Sequence, residues 1–596
     1  MTEYDRDQRT SARRTARLTG DSGFVSSNGL GLSRPGRRAL VIVALLALAG
    51  LARAVPLYWS PHPATLDGFQ YAWFARETLA TGSFPIDQFR VDSFVYTGFV
   101  ATVASVVGVA PLRLIQPLSS LVGVGGVLVG VALAARVARG LGLSRRRIAS
   151  VAVVAGFVLA VDGIYLRRTM VADEEVMAYV LLPLAILAVH SWLRGGRTST
   201  AWGVLAGLFL LLFPPFHVFS TLVAGMIVLA LVVTNVVQRP DRRTLAGGGV
   251  IAVGFWLYLG GYYTFAESTA MAVPYVDRVT AFPGLFLAWV IILVVGVVWV
   301  WTTTSRARLA AFVVPVLALY AVTLVNVSVS VYPGTPRTPL VVLVPVLALF
   351  VPILVGGLGL GELSSARPIG AVVLALLGGP LAIVGFSLTA SLTPEYVNTA
   401  IRAQTFAHLP VAVLLGLAVS GLVSRRADGR RNGRVGSVDG SSAGRTGRIL
   451  RYLLVVIVLV AAVASLPFAY LVLDTGGYPS TTLDSEFRGV QFASEHASEP
   501  WATDHSLSRV GVLYFRSQPS IESVASWLSG GTSPTCPVVS QTSWTTTGAH
   551  LFPFAPETVS EARYDRWLAT RNQVYANTGL DPVTVSLPPS ASGGGC

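Results

Sequence analysis

Acidic side chains are concentrated in two short clusters that border long apolar segments. The first cluster begins at Asp67, which is followed by aromatic residues at helical spacing, Tyr71 among them. A carboxylate beside hydrocarbon is costly and therefore needs a structural or chemical role. Asp67 could cap a helix next to an interfacial belt of aromatic side chains. Alternatively, it could transfer a proton at the membrane surface.

The second cluster combines arginines with acids. Three consecutive acids, Asp173, Glu174 and Glu175, follow Arg167 and Arg168. A solvated loop with weak ion pairs would account for them. Both clusters, however, leave early apolar segments on the same predicted side and can face each other across one cavity. Paired carboxylates in such a cavity could orient and deprotonate a hydroxyl or bind a divalent cation.

A third polar element is the proline-rich segment 332–339, which carries Arg337. A guanidinium at the level of the lipid headgroups suits a phosphate, although an arginine that only anchors the topology would lie there too. His217 is expected to be a packing or interfacial residue. Other charged residues near the same face are weaker candidates, namely Arg53, Glu267, Asp277, Arg278, Glu395 and Arg402.

These clusters must be positioned by helices that cross a membrane. The chain is 53% hydrophobic and only 12% charged, about half the charged fraction usual for a soluble domain. Apolar segments long enough to span the hydrocarbon layer recur. The prediction is a mainly α bundle of about thirteen spans, at 39–57, 118–135, 148–161, 176–193, 201–214, 216–237, 245–263, 282–301, 309–327, 339–358, 369–388, 409–422 and 453–473. The apolar piece 94–110 is expected to lie along the outer surface.

The charge distribution predicts the orientation of these helices. Lys and Arg number 44 against 30 acids, and every basic residue is arginine. The arginines concentrate in short connectors, as the positive-inside rule expects for the cytoplasmic side, so membrane topology rather than nucleic acid explains the charge. The chain is therefore expected in the plasma membrane with a cytoplasmic N-terminus.

Four regions follow from this topology. Residues 1–38 are expected to be a disordered basic cytoplasmic tail, and 39–473 a transmembrane domain that includes an outer loop at 58–117. Residues 424–448 read as a flexible cytoplasmic loop. Residues 474–596 suffice for a small extracytoplasmic α/β domain. Both cysteines, Cys536 and Cys596, lie in this last region; they could pair there, or Cys596 could stay free.

Together these features resemble the C-type glycosyltransferases, which are membrane enzymes that take sugars from polyprenyl-phosphate carriers. The resemblance rests on Asp67-x-Phe69-x-Tyr71, Ala75-Arg76-Glu77 and Gly82-x-Phe84-Pro85 in the first outer loop, and on Arg168-x-x-x-x-Asp173-x-Glu175. The first group is similar to the loop with the catalytic aspartate of oligosaccharyltransferase catalytic subunits. The chain lacks the Trp-Trp-Asp-Tyr-Gly motif of those subunits, which makes transfer to asparagine doubtful.

The resemblance implies a role for each candidate residue. Asp67 would be the principal acid or base, with Asp173 and Glu175 as further catalytic residues. The same three carboxylates would hold Mg²⁺ or Mn²⁺ if the reaction needs a metal. Substrate would be bound by Arg337, at the carrier phosphate, and by Arg168, Glu174 and Tyr71. The implied partners are a polyprenyl-phosphate-linked sugar donor, a glycan or protein acceptor, and membrane lipid.

A solute transporter is the alternative, because many permeases also have numerous apolar spans with few charges. That class predicts ionisable residues and broken helices near the middle of the bilayer. The segment Phe213-Pro214-Pro215-Phe216 fits it. The gathering of acids at one predicted surface favours an enzyme instead.

Overall fold

The computed structural model describes residues 34–196, 198–269, 271–331, 337–363, 368–424, 441–471, 473, 481–497, 500–552, 556–589 and 596. Packing divides the chain into one unit that ends at Ala44, within the first helix, and a second unit from Leu45 to Cys596. All the candidate site residues belong to the second unit. Most of the predicted basic tail 1–38 lies outside the described residues, as does 425–440 of the predicted loop 424–448. From Ser441 onward that loop is already helical.

Long apolar helices make up most of the second unit. Within the described residues, ten helices are long and apolar enough to cross a membrane. They are Pro111–Gly140, Glu175–Arg194, Val218–Gln238, Arg242–Ser268, Pro283–Thr302, Ser305–Ser328, Leu340–Glu362, Gly370–Ala390, Pro394–Val423 and Ile449–Tyr470. The predicted fold class, a polytopic helical bundle with a small C-terminal sheet, is confirmed.

Three of the thirteen predicted spans form helices that are shorter or bent. The first helix, Arg34–Ala54, has an apolar part of only Ala39–Ala54, and Ser199–Leu212 has 14 residues. Ser199–Leu212 is followed by two prolines, which cannot continue a helix. Arg145–Val161 bends by 67° into Gly163–Thr169. By length and composition the described spans therefore number ten, or eleven with the bent pair, instead of thirteen.

Small residues let the inner helices approach one another closely. A Cβ added to Gly379 would lie 2.4 Å from Cγ1 of Ile227, and one on Gly416 would lie 2.6 Å from the carbonyl oxygen of Val151. Lipid is as apolar as these side chains, so helices in a membrane associate mainly through such close packing. Pro283–Thr302 and Ser305–Ser328 are by contrast apolar helices with few buried residues, as expected of surfaces that face lipid.

Short helices lie between the first long helices and position the predicted site. The helix Leu66–Thr81 ends at Gly82 and the helix Phe94–Val107 ends at Gly108, both glycines with positive φ. A left-handed residue after a helix favours glycine because it has no Cβ to clash. Phe94–Val107, predicted as the surface helix, has 14 residues and is half exposed. Further short helices are Pro56–Trp59, Val276–Thr280 and Pro467–Tyr470.

The C-terminal residues form a small α/β layer. Three antiparallel strands, β1 (Val538–Gln541), β2 (Asn572–Ala576) and β3 (Val583–Leu587), pair in the order β1-β3-β2, with Val539 opposite Val585. Cys536 and Cys596 form a disulfide, which decides between the two predicted alternatives. The helices of this layer are Asp484–His496, His505–Val510, Gly511–Phe515, Glu522–Leu528 and Glu561–Ala569.

Candidate active site

Asp67 lies in the first turn of the helix Leu66–Thr81, whose N-cap residue is Thr65. Capping is therefore not the role of Asp67. Its Oδ1 accepts a hydrogen bond from Nη2 of Arg509 at 3.3 Å, and 44% of the Asp67 side chain is exposed. A half-exposed carboxylate with one cationic partner can still reach a substrate.

The second acidic cluster lies directly beside this turn. A Cβ added to Gly68, the residue after Asp67, would lie 3.1 Å from both the Cβ and the carbonyl oxygen of Ala172. Ala172 in turn precedes Asp173. Glycine is needed at position 68 because a Cβ there would also lie 2.5 Å from the Cβ of Pro63, so a larger residue would clash on both sides. Asp67 precedes Gly68 and Asp173 follows Ala172, so the two predicted clusters lie next to each other.

Arg402 holds the second cluster from the helix Pro394–Val423. Its Nε and Nη2 donate to Oε2 of Glu175 at 2.8 and 2.5 Å, and Nη2 lies 4.0 Å from Oδ2 of Asp173. Tyr179 donates its hydroxyl to the other oxygen of Glu175 at 2.8 Å. Both guanidinium nitrogens thus converge on one oxygen of Glu175, and such charge-assisted hydrogen bonds are stronger than neutral ones. Glu175 is 1% exposed, so a solvated loop is excluded for it.

Glu174 belongs to an adjoining group of buried charges. Its Oε1 lies 3.4 Å from Nη2 of Arg90 and 3.5 Å from Nε2 of His217. Arg90 also donates Nε and Nη2 to the two oxygens of Asp92, each at 3.1 Å. Arg90 therefore serves both buried acids as a cation, as burial of charge requires.

Burial and the neighbouring charges move the pKa values of these groups in different directions. Burial, followed by the negative charge of Asp173, raises the pKa of Glu174 well above its ordinary value. Burial opposes ionisation of Asp173 too, but a hydrogen bond with Glu174 and the charge of Arg402 lower its pKa. Burial and Arg402 lower the pKa of His217 to about 4. Burial and Arg402 thus favour the uncharged form of His217, whereas the pKa values of the neighbouring Asp173 and Glu174 move in opposite directions.

The remaining predicted residues occupy different surroundings. Tyr71 is 1% exposed, and its ring packs edge-on against Tyr96 with 5.0 Å between ring centres, so it is a packing residue of the outer loop. Arg168 is half-buried and interacts electrostatically with Glu175. Arg337 is exposed, and among the described residues none of the acids above contacts it. Most of its segment, 332–336, lies outside the described residues.

Five residues of this site were missed or undervalued from sequence. Arg402 ranked only as a weak candidate, and His217 as a packing residue. The pair Arg90 and Asp92 lies in the polar stretch between the first two apolar segments, where a charged pair two residues apart was a usable signal. Arg509 is 442 residues from Asp67, and no local pattern marks it.

The carboxylates of the site are directed at cations of the chain itself. Asp92, Glu174 and His217 have ligand atoms within 4.8 Å of one another, but Arg90 already engages both acids. Asp67, Asp173 and Glu175, predicted as metal ligands, face Arg509 and Arg402. Among these three acids, Arg402 engages Glu175 at 2.5 Å, while Asp67 and Asp173 lie 3.3 and 4.0 Å from a guanidinium nitrogen. Metal dependence stays a prediction.

The architecture is that of a known class of membrane protein. It matches the apo crystal structure of the oligosaccharyltransferase from Archaeoglobus fulgidus with a TM-score of 0.50 and 13% identity, over 81% of this chain and 64% of that one. The chain thus spans less than two thirds of the length of that protein. It shares the fold of that oligosaccharyltransferase, as expected from the resemblance of the motifs.

Two further solved structures are similar at lower scores. The Archaeoglobus fulgidus oligosaccharyltransferase AglB, in complex with an inhibitory peptide and a dolichol-phosphate, aligns with a TM-score of 0.48 and 15% identity over 80% of this chain and 64% of that one. ArnT from Cupriavidus metallidurans, bound to undecaprenyl phosphate, aligns with a TM-score of 0.41 and 13% identity over 94% of this chain and 99% of that one. No family model matches the sequence, and no curated protein matches it.

Proposed function

We propose that the chain is a membrane glycosyltransferase that moves a sugar from a polyprenyl-phosphate carrier to an extracytoplasmic glycan, lipid or protein acceptor. One observation carries the proposal: the half-exposed carboxylate of Asp67 lies beside a buried acidic segment whose acids contact Arg402 and Arg90. The contact of Gly68 with Ala172 fixes the two together. The fold supports the proposal, as does the resemblance of both motifs.

The proposed reaction is a single displacement at the anomeric carbon of the sugar. An acceptor hydroxyl, oriented by Asp67, attacks this carbon and gives its proton to the carboxylate. The bond from the anomeric carbon to the carrier oxygen breaks, and its electron pair leaves with the phosphate. Attack and departure on opposite faces invert the configuration. Arg337 as the phosphate-binding residue stays a prediction.

The buried acids have a different proposed role. Both carboxylate oxygens of Glu175 are engaged, one by Arg402 and the other by Tyr179, so Glu175 is better suited to position the loop than to react. Asp173 keeps 11% of its side chain exposed and can orient the acceptor. A site held by such bonds keeps its geometry without reorganisation during the reaction.

Contacts across the bundle support an orientation of the helices. Asp67 and Asp173 lie at the same end, since Gly68 contacts Ala172. Between them lie Pro111–Gly140 and the bent pair, so we infer that both cross the membrane. The 3.5 Å approach of Glu174 to His217 requires an even number of crossings between them, which supports crossings by both Glu175–Arg194 and Ser199–Leu212.

The number of crossings between Asp67 and Arg509 is then even, as it must be for two residues on the same side of the membrane. Ten long helices, the bent pair and Ser199–Leu212 give twelve crossings between Asp67 and Arg509, and these two residues are in contact. The first helix would be the thirteenth crossing. Disulfides persist in oxidising compartments, so the bond in the C-terminal layer supports an extracytoplasmic site.

The test uses purified protein in lipid nanodiscs with labelled polyprenyl-phosphate hexoses and a membrane extract that supplies acceptors. The wild type is expected to release carrier phosphate and to place the label on an acceptor. Asp67→Asn should lose most of this activity. Asp87→Asn, an exposed acid of the same outer loop, is the matched control and should retain it. Near-normal turnover by Asp67→Asn would remove Asp67 from the mechanism.

A transporter remains the second candidate because of one feature. The helix Arg145–Val161 breaks at Asp162, and Oδ2 of Asp162 lies 2.9 Å from Nδ1 of the buried His408. Broken helices with buried ionisable residues are typical of transporters. Uptake of a solute into proteoliposomes, together with no turnover across the donor panel, would favour this function.

A further inference from the structure

The C-terminal layer packs directly on the helix that carries Asp67. The guanidinium of Arg516 lies 3.7 Å from the ring centre of Trp73, and that of Arg76 lies 4.6 Å from the ring centre of Tyr514. Each segment thus places an arginine on an aromatic ring of the other. Cation–π contacts of this kind, together with the packing of Phe69 against Tyr514, fix the layer on the outer loop.

This packing brings one short helix next to Asp67. The helix His505–Val510 begins at Asp504, whose side chain accepts a hydrogen bond from the backbone N–H of Leu507. The helix carries Arg509, whose Nη2 lies 3.3 Å from Oδ1 of Asp67. The side chain of Arg509 is 36% exposed, so substrate can reach it. Burial, and then Arg509, lower the pKa of His505 to about 4, which leaves Arg509 as the positive charge of this helix at neutral pH.

Arg509 differs from the buried arginines of the site. Arg402 and Arg90 each place two N–H groups on one carboxylate. A guanidinium has five N–H donors, and among the described contacts Arg509 directs one of its nitrogens to Asp67. Its remaining donors are available to a second anion. Its bond to Asp67 already orients the fork, which reduces the entropy lost on binding that anion.

A phosphate and a catalytic carboxylate in one site repel each other. A cation between the phosphate and the carboxylate offsets this repulsion. We propose that Arg509, supplied by the C-terminal layer, binds the phosphate of the polyprenyl-linked donor and of the departing carrier while Asp67 holds it in place. This inference rests on the proposed function and adds to it the residue that recognises the donor phosphate.

In the proposed reaction, the strongest interaction of Arg509 changes while bonds at the sugar form and break. When the acceptor oxygen bonds to the anomeric carbon, the acceptor proton moves to Asp67 and the carboxylate loses its charge. In the same step the bond from the anomeric carbon to the carrier oxygen breaks, and the phosphate gains the electron pair. The guanidinium therefore shifts its strongest interaction from Asp67 to the phosphate as charge develops there.

Binding of farnesyl phosphate to the full chain in nanodiscs tests the assignment, with farnesol as the matched probe that lacks phosphate. Arg509→Gln should bind farnesyl phosphate about ten- to a hundredfold more weakly, the loss of one charged hydrogen-bonding group, and farnesol unchanged. Arg509→Lys keeps the charge but not the fork and should fall in between. Arg566→Gln removes an exposed arginine of the same layer whose Nε bonds to its own helix, and it should match the wild type.

Asp67→Asn distinguishes a role of Arg509 in phosphate binding from a role that only attaches the C-terminal layer to Asp67. Removal of the competing carboxylate frees Arg509, so this variant should bind farnesyl phosphate at least as tightly as the wild type although turnover is lost. A structural ion pair predicts instead that Asp67→Asn and Arg509→Gln lower the melting temperature alike and that neither changes the preference for farnesyl phosphate over farnesol.

The outcomes separate the two proposals. Wild-type turnover together with unchanged affinity of Arg509→Gln and Arg509→Lys for farnesyl phosphate would overturn the role of Arg509 and leave the transferase standing. Weaker binding of farnesyl phosphate by Asp67→Asn would also overturn that role. An absence of sugar transfer by the wild type across the donor panel would instead refute the proposed function. If Arg509→Gln does not fold, the comparison of Arg509→Lys with Asp67→Asn decides.

Discussion

Replacement of Arg402 by glutamine tests whether the buried charges hold the site together. Two bonds, at 2.8 and 2.5 Å, join this arginine to Glu175. Arg402 has 13% and Glu175 only 1% of its side chain exposed. Loss of the guanidinium leaves a carboxylate in a water-poor site without its counterion. The cost is about 3–5 kcal/mol for removal of one partner of a buried pair. A Coulomb energy of about 4 kcal/mol at 4 Å and an effective dielectric constant of 20 agrees.

The assay is reversible unfolding by SDS in mixed micelles, followed by tryptophan fluorescence. Arg402→Gln should lower the free energy of unfolding by the amount above. Arg402→Gln with Glu175→Gln should recover part of it, because Glu175 is then no longer an unpaired charge although Asp173 still lacks the arginine 4.0 Å away. The exposed Arg337→Gln serves as the control and should change it by less than about 0.5 kcal/mol. A double variant that is as unstable as Arg402→Gln alone would refute the reasoning.

Further predictions concern the loop contact, the disulfide and one buried acid. Gly68→Val should lower activity and destabilise by about 1–3 kcal/mol, because its side chain would clash with Pro63 and Ala172; full turnover with unchanged stability would contradict this close packing. Cys536→Ser opens the bond to Cys596 across 60 residues and should destabilise the C-terminal layer by about 2–4 kcal/mol; unchanged resistance to limited proteolysis would contradict this. Burial raises the pKa of Asp504 to about 6, so the folded protein binds this proton more tightly than the unfolded chain does. The stability that the proton contributes is complete below the ordinary pKa of 3.8 and is lost as pH rises through about 6. Asp504→Asn should flatten the fall in melting temperature between pH 4 and 7, and an equal fall in both proteins would contradict the assignment.

Much of the fold could be predicted because hydrocarbon imposes a simple length rule on helices. Each segment predicted to span is helical in the structure, including 201–214, although Ser199–Leu212 is short. The bend at Asp162 was missed because it depends on a side chain that caps a new helix, where Asp162 accepts from the N–H groups of Ile164 and Tyr165. A hydropathy pattern carries no information about such a bond.

The candidate site was partly visible from sequence for a related reason. Asp67 and Asp173 stand out because acids at the ends of apolar segments are rare. Their partners Arg402 and Arg509 come from distant segments, and only the folded chain brings them to the acids. Arg337 was predicted for the phosphate from its local setting alone, whereas the structure places Arg509 on Asp67.

The most direct test of the proposed reaction is the rate at which carrier phosphate is released from a labelled polyprenyl-phosphate sugar by Asp67→Asn relative to Asp87→Asn. Loss of a general base predicts a fall of about a hundredfold or more, with Asp87→Asn equal to the wild type and both proteins inserted normally. Equal release by the two variants would contradict a catalytic role for Asp67.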